Sequence, residues 1–587
     1  MRISVRVFDM TMVLYKGDDD KARVSRAACG ACPGAGLRSA PTESNGLFPD
    51  PEFSVIMQNH IMPRQSTPYK KKTAPPRRGV RIAFRFAAVT ALLAAYLVIA
   101  LSGCRPRSGN RYGPYPVPVV AKNVILIIGD GMDLASEVAA SRYLYGTDDG
   151  LAWHDSDRFT YRGYCTTWDV TTYNGYASGL GKKNYGIHDF SPSVGYDISK
   201  GGAKPYPTFT GGDNSYFFSG YAADSASSAT AMATGKKTDT GNIAWESGDP
   251  AGGAIVSITD LAKKRRNASI GIVTTFPFNH ATPASFASHN PNRYNLYTGY
   301  RGYAGHGVAD EIITAVKPKV VIGGGHPAWD NPAFDATKGN ISKELYDGLK
   351  DGAYGYTFVE RESSVDGGVA LQAAAGNTNA SEFSRLFGLF GGNTSIFEPP
   401  VPSDNGSAIV TPGSEENPTL AEASIAALTV LSKNPNGFFL MVEQGDIDWA
   451  NHRNNYHWMI GAMWDLEQAV KAVCGFIDDS DTVNWSNTLV IVTADHAVGF
   501  LRFNPSITMT RGDLPTMEGA DYSHTYPDGE ITYGTTSHTN ELVTVSAAGA
   551  GAWLFHQYEG SWYPGRKIID NTHIFKVMSR AMGLSQY

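Results

Sequence analysis

The sequence predicts an α/β fold, on three observations. Short uninterrupted apolar runs recur at residues 124–128, 270–273, 320–322, 438–442, 489–492 and 542–545, the pattern of strands buried on both faces of a parallel sheet. Segments of helix length separate them. Three of the runs lead into carboxylates, at Gly129-Asp130-Gly131, Glu443-Gln444-Gly445-Asp446-Ile447-Asp448 and Thr493-Ala494-Asp495-His496. Ligands of open α/β sheets bind beyond such strand ends.

Composition narrows the function. A chain of 587 residues with 42% hydrophobic and 11% aromatic content has far more core than a disordered, collagen-like or disulfide-stapled chain. A net charge of -6 lacks the basic footprint that nucleic-acid binding needs, which excludes DNA and RNA as partners. The charge is uneven: residues 1–103 carry 15 Lys+Arg against 7 Asp+Glu, so the remaining 484 residues hold a net -14. Of five cysteines only Cys165 and Cys474 fall in the acidic body, and the sequence does not say whether they pair.

The basic leader has the form of an export signal. Lys70, Lys71, Lys72, Arg77, Arg78, Arg81 and Arg85 precede an apolar, uncharged run at 86–101. That run is shorter than the ~20 residues of a membrane-spanning helix. It ends in Leu101-Ser102-Gly103-Cys104, which resembles the bacterial lipoprotein box, so Cys104 is the expected lipidation site and a membrane is a partner through the anchor. The expected organisation is a spurious or untranslated extension at 1–61, a signal peptide at 62–103, an anchor and Pro-rich tether at 104–121, and a catalytic domain at 122–587. An extracytoplasmic location, in the periplasm or at the cell surface, follows from that reading.

Within the body, several weak signals converge. A single Asp after a strand is often only a helix cap, but three strand ends delivering carboxylates together repel one another unless a cation sits among them. Asp448 and His452 stand at i and i+4, one face of a helix. Asp495 and His496 are adjacent and can converge only at an irregular strand end. His538 lies in a polar turn before the last apolar run. The Ala-rich stretch at 225–234 reads as a helix closed by Gly235, with Ser225 at its start. Ser225 there is either a cap or a nucleophile favoured by the positive helix end.

Taken in order, Asn123-Val-Ile-Leu-Ile-Ile-Gly-Asp-Gly-Met132, Asp224-Ser-Ala-Ser-Ser-Ala-Thr230, His280-Ala-Thr-Pro-Ala284, Val442-Glu443, Asp448 with His452, Thr493-Ala-Asp-His496 and His538-Thr539 make the chain resemble the alkaline phosphatase family over most of residues 122–587. The resemblance implies a three-layer sandwich around a mostly parallel sheet, and hydrolysis of phosphate monoesters through a phosphoserine on Ser225. It implies two Zn2+ and one Mg2+: Asp448, His452 and His538 for the first zinc, and Asp130, Asp495 and His496 for the second. Asp130, Thr282 and Glu443 would hold the magnesium, whose preference is for oxygen. Arg293 matches the phosphate-clamping arginine. Asp224, His280 and Trp449 fall beside these groups. With four carboxylates, three divalent ions and one arginine the site would be formally +3, suited to a phosphate dianion. Family members are often dimers, which makes a second copy an expected partner.

Four positions depart from common family patterns: Asp133 and Asn540 where glycine is frequent, His280 where some members have Asp, and Trp449 where others have Lys or His. Residues 146–219, 328–418 and 503–533 fit the strand-helix alternation poorly and read as insertions. The rival functions are hydrolysis of phosphodiesters or sulfate esters on a related fold, and phosphate binding by a dead site.

Overall fold

The apolar runs form strands because each is covered on both faces. The computed structural model describes the backbone of 3–7 and 10–14, and residues 121–584 other than 187, 206–213, 219–221, 328–338, 382–383 and 393. The expected signal peptide, Cys104 and the expected tether up to residue 120 lie outside the described residues. The chain divides into two units, 1–108 and 109–587. In the first, Ile3–Val7 and Met10–Leu14 pair as an antiparallel hairpin. All that follows concerns the second.

Its central sheet has ten strands: β1 (Asn123–Gly129), β2 (Tyr161–Thr166), β3 (Ser269–Pro277), β4 (Val320–Gly324), β5 (Tyr356–Glu360), β6 (Arg385–Leu389), β7 (Phe438–Gln444), β8 (Thr488–Ala494), β9 (Val543–Gly549) and β10 (Ile568–Asp570). They run in the order β10-β2-β9-β8-β1-β7-β3-β4-β6-β5. Only β9 is antiparallel to its neighbours, β8 and β2. Every residue of β1, β7 and β8 is buried, as expected for the middle of a doubly covered sheet. Helices Leu134–Tyr145, Leu420–Leu431 and Tyr456–Asp479 pack together, as do Ser225–Thr234, Ile258–Arg266 and Asn571–Ala581. With the sheet between them the domain has three layers.

Two segments expected to stand outside the alternation contribute to the sheet: β2 lies within 146–219, and β5 and β6 within 328–418. They escape the search for continuous apolar runs for physical reasons. β2 reads Tyr-Arg-Gly-Tyr-Cys-Thr and exposes Arg162, whereas β5 is an edge strand that buries only Tyr356. The 503–533 segment closes on Leu501–Phe503 paired with Ile531–Tyr533, outside the sheet. Cys165, in β2, and Cys474, in the helix Tyr456–Asp479, are both buried free thiols.

Candidate metal and phosphate site

Strand register brings the carboxylates together. Gly129 of β1 pairs with Ala494 of β8, so Asp130 and Asp495 leave the sheet side by side. On the other flank Ile128 pairs with Glu443 of β7, and Glu443 with Thr274 of β3. The turn after Asp130 needs glycine: Gly131 has φ +66°, and a Cβ there would lie 2.8 Å from the Asp448 Cα. Its amide donates to Asp495 Oδ1 at 3.0 Å.

β8 ends at Ala494, and the bend beyond it lets Asp495 and His496 converge. His496 is fully buried, with Nε2 3.1 Å from Ser225 Oγ, 3.2 Å from Asp495 Oδ2 and 3.4 Å from Asp130 Oδ1. Burial and the neighbouring His538 hold its pKa well below the usual value, so it is neutral. Asp448 lies in the short helix Asp446–His452, with Oδ1 3.4 Å from His452 Nε2 and 3.5 Å from His538 Nε2. His538 stands in a two-residue strand, His538–Thr539, paired with Ala497–Val498 just after His496. The two imidazoles are oriented from behind. Nδ1 of His452 donates to the Thr536 carbonyl at 2.7 Å, and Nδ1 of His538 to the Ala223 carbonyl at 2.9 Å. A carbonyl only accepts, so Nδ1 carries a proton in each ring and Nε2 is the atom turned toward the cluster.

One ligand atom from each of Asp448, His452 and His538 lies within 4.8 Å of the others, and the same holds for Asp130, Asp448 and His496. Asp448 thus stands in both groups, where the family pattern gave it to the first alone. The chemistry of these atoms fits a cation. Both oxygens of Asp130, Oδ1 of Asp448, Oδ2 of Asp495, Oε1 of Glu443 and Oγ1 of Thr282 are buried without a hydrogen-bond partner. Several unpaired carboxylates in a dry interior cost several kcal/mol each, and among the described residues no Lys or Arg is paired with these oxygens. Their pKa values show the strain. Burial, then Asp495 and Asp448, push Asp130 well up; burial takes Glu443 to about 7 and Asp495 to about 6. Burial would raise Asp448 too, but the imidazoles around it hold it below the carboxylate range.

Ser225 begins the helix Ser225–Thr234 as its first helical residue, because Asp224 takes the cap: Asp224 Oδ1 accepts from Ser227 N at 3.0 Å. The Ser225 hydroxyl is thereby left to face His496 at the positive end of the helix. Arg293 Nη1 lies 2.8 Å from Asp224 Oδ2, and Nη2 is 3.2 Å from His280 Nε2. Burial would raise Asp224, yet Arg293 and Ser227 bring it down to about 2. His280 caps the short helix Ala281–Ser285, which carries Thr282, and packs edge-on against Phe276 at 5.0 Å. Phe276 in turn meets Trp449 at 4.7 Å. Burial and Arg293 lower His280 to about 3.

The candidate residues named from the sequence lie together here, whereas several groups that hold them were not among the candidates. Thr274, which donates to Glu443, and the carbonyls of Ala223 and Thr536 carry no sequence signal.

Known proteins resemble this chain in sequence and in fold. The alkaline phosphatase family model matches residues 206–511. Alkaline phosphatase 4 of Bacillus subtilis is 32% identical over 276 residues, 47% of this chain and 49% of that protein. The chain thus spans about half the length of that relative. Alkaline phosphatase of Escherichia coli K12 is 29% identical over 494 residues, 79% of this chain and 86% of the relative. The fold is shared with the Thermus thermophilus alkaline phosphatase at TM-score 0.50 and 20% identity, covering 82% of this chain and 96% of that one. With the family model matched over more than half of its length, the chain belongs to the alkaline phosphatase family.

Proposed function

We propose that this chain is a metal-dependent phosphomonoesterase that works through a phosphoserine at Ser225. The observation that carries the reading is the position of Ser225 Oγ at a helix N-terminus, 3.1 Å from His496 Nε2 and beside buried carboxylate oxygens that lack partners. Asp448, His452 and His538 would hold one zinc, Asp130, Asp495 and His496 a second, and Asp130, Thr282 and Glu443 a magnesium. Divalent ions bound there would neutralise the carboxylates and act as Lewis acids toward phosphoryl oxygens and the serine hydroxyl.

The chain's own groups do the rest. Arg293, braced by Asp224, holds two phosphoryl oxygens with its planar fork, and the amides opening the Ser225 helix add positive potential. Ser225 Oγ bonds to phosphorus as the ester P–O bond breaks and the alcohol leaves. Water then cleaves the Ser–O–P link, which restores the hydroxyl and releases phosphate. Recognition centred on the phosphoryl group leaves the alcohol largely unread, which supports broad monoester specificity.

Export and anchoring at Cys104 belong to the same proposal and rest on the leader sequence. Among the described residues no helix is long and apolar enough to cross a membrane. The direct test is turnover of p-nitrophenyl phosphate before and after chelation, beside bis-p-nitrophenyl phosphate and p-nitrophenyl sulfate. Loss on chelation, recovery with zinc and magnesium, and preference for the monoester are expected. Faster turnover of the diester or sulfate, or activity indifferent to chelation, contradicts the reading.

A further inference from the structure

Behind the Ser225 helix lies a buried carboxylate that the mechanism above does not use. Asp169 caps the helix Val170–Gly179 with one oxygen, Oδ1 accepting from Thr172 N at 2.7 Å. A cap needs no more than that. Its second oxygen points away from its own helix, accepting from Ser227 Oγ at 2.9 Å and from Thr240 Oγ1 at 2.8 Å.

Both donors belong to the machinery that holds Arg293. Ser227 Oγ is also 2.7 Å from Asp224 Oδ1, so two buried carboxylates share one hydroxyl. Beside Thr240, Gly241 forms a bracket: its amide donates to Asp224 Oδ2 at 3.1 Å, and its carbonyl accepts from the Arg293 backbone amide at 2.9 Å. The loop carrying the bracket is stitched to the Asp169 helix as well, Val170 N donating to the Thr238 carbonyl at 2.8 Å and Thr240 N to Thr171 Oγ1 at 3.1 Å. Asp169 therefore ties together the nucleophile helix, the bracket loop and its own helix. Arg293 pairs with Asp224, the carboxylate that shares the Ser227 hydroxyl with Asp169, so the place of the guanidinium depends on the whole arrangement.

We propose that Asp169 is a positioning residue for the Arg293 phosphate clamp, acting through Ser227, Thr240 and Asp224; this rests on the phosphomonoesterase reading. Asp169→Asn keeps a capping oxygen but loses the charge and the second acceptor. With inorganic phosphate as competitive probe, its inhibition constant and the KM should rise about tenfold, the loss of one charge-assisted contact, while kcat changes less. In an Arg293→Ala background the same substitution should change the phosphate constant by less than roughly twofold, because the two residues act as one unit. Thr240→Val, which leaves every charge and the cap in place, should reproduce the coupling and serves if Asp169→Asn does not fold. An unchanged phosphate constant, or an equal effect with and without Arg293, overturns this inference alone. Wild-type protein that neither hydrolyses p-nitrophenyl phosphate nor binds phosphate overturns the functional reading and this inference with it.

Discussion

Two buried charged regions adjoin the helix Ser225–Thr234, and they are built in opposite ways. Just beyond its C-terminus, Lys237 and Asp570 form an ion pair at 2.9 Å with almost no exposure. Lys237 Nζ also donates to Trp168 O and Asn571 Oδ1, each at 2.6 Å, and sits 4.1 Å over the Trp168 ring. Asp570 accepts from Thr166 Oγ1, Thr572 N and Thr572 Oγ1. Every charged atom of that pair has a partner. At the N-terminus of the same helix, Asp130, Asp448, Asp495 and Glu443 are as deeply buried and keep oxygens without partners. One hydroxyl bridges the regions: Ser228 Oγ donates to the Asp495 carbonyl and accepts from Asn571 Nδ2 at 3.0 Å. The contrast separates a charge paired within the fold from one left unpaired. The first carries its cation in the sequence, and on the proposed reading the second would take its cation from solution.

Three substitutions test the difference between the two regions. The largest effect is expected for Asp130→Asn, which should lower kcat/KM for p-nitrophenyl phosphate by more than about 100-fold, beyond the range of changes outside the ligand shell. Removing one of several repelling carboxylates should at the same time raise the melting temperature of the metal-free protein, and a lower one would mean that Asp130 is satisfied internally. Lys237→Met should behave in the opposite sense. It leaves Asp570 buried and unpaired and should cost roughly 3–5 kcal/mol of stability in denaturant unfolding, with activity per folded molecule unchanged.

The smallest effect concerns a charge at the surface of the domain. His289 lies between Glu311 Oε1 at 2.8 Å and Asp260 Oδ2 at 3.2 Å. Burial would lower its pKa, but the hydrogen bonds to Asp260 and Glu311 raise it to about 10. A raised pKa stabilises the fold fully below the unfolded value of about 6.5 and is lost as pH climbs through 10. Melting temperature should therefore fall by a few degrees between those pH values, and His289→Gln should flatten that part of the profile. A slope unchanged in the variant would assign the loss elsewhere.

The sequence made the centre of the fold legible because β1, β7 and β8 are buried on both faces and so are apolar without interruption. It was silent about β2 and β5, whose exposed positions interrupt the apolar run. The same division holds at the site. Asp130, His496 and Ser225 stand in motifs because their chemistry dictates residue type at fixed spacing. Asp169 reads as an ordinary helix cap, and only the fold shows its second oxygen turned toward Ser227 and Thr240. Ser225 itself could be read as a cap or a nucleophile, and the three-dimensional assignment of the cap to Asp224 is what frees its hydroxyl.

On the proposed reading, the partnerless oxygens mark where divalent cations belong. Diffraction from crystals of the purified protein, recorded on both sides of the zinc absorption edge, would locate those cations. Anomalous peaks are expected within Asp448, His452 and His538 and within Asp130, Asp495 and His496, the second within reach of Ser225 Oγ. Featureless anomalous density at both places, in crystals grown with zinc, would overturn the metal assignment.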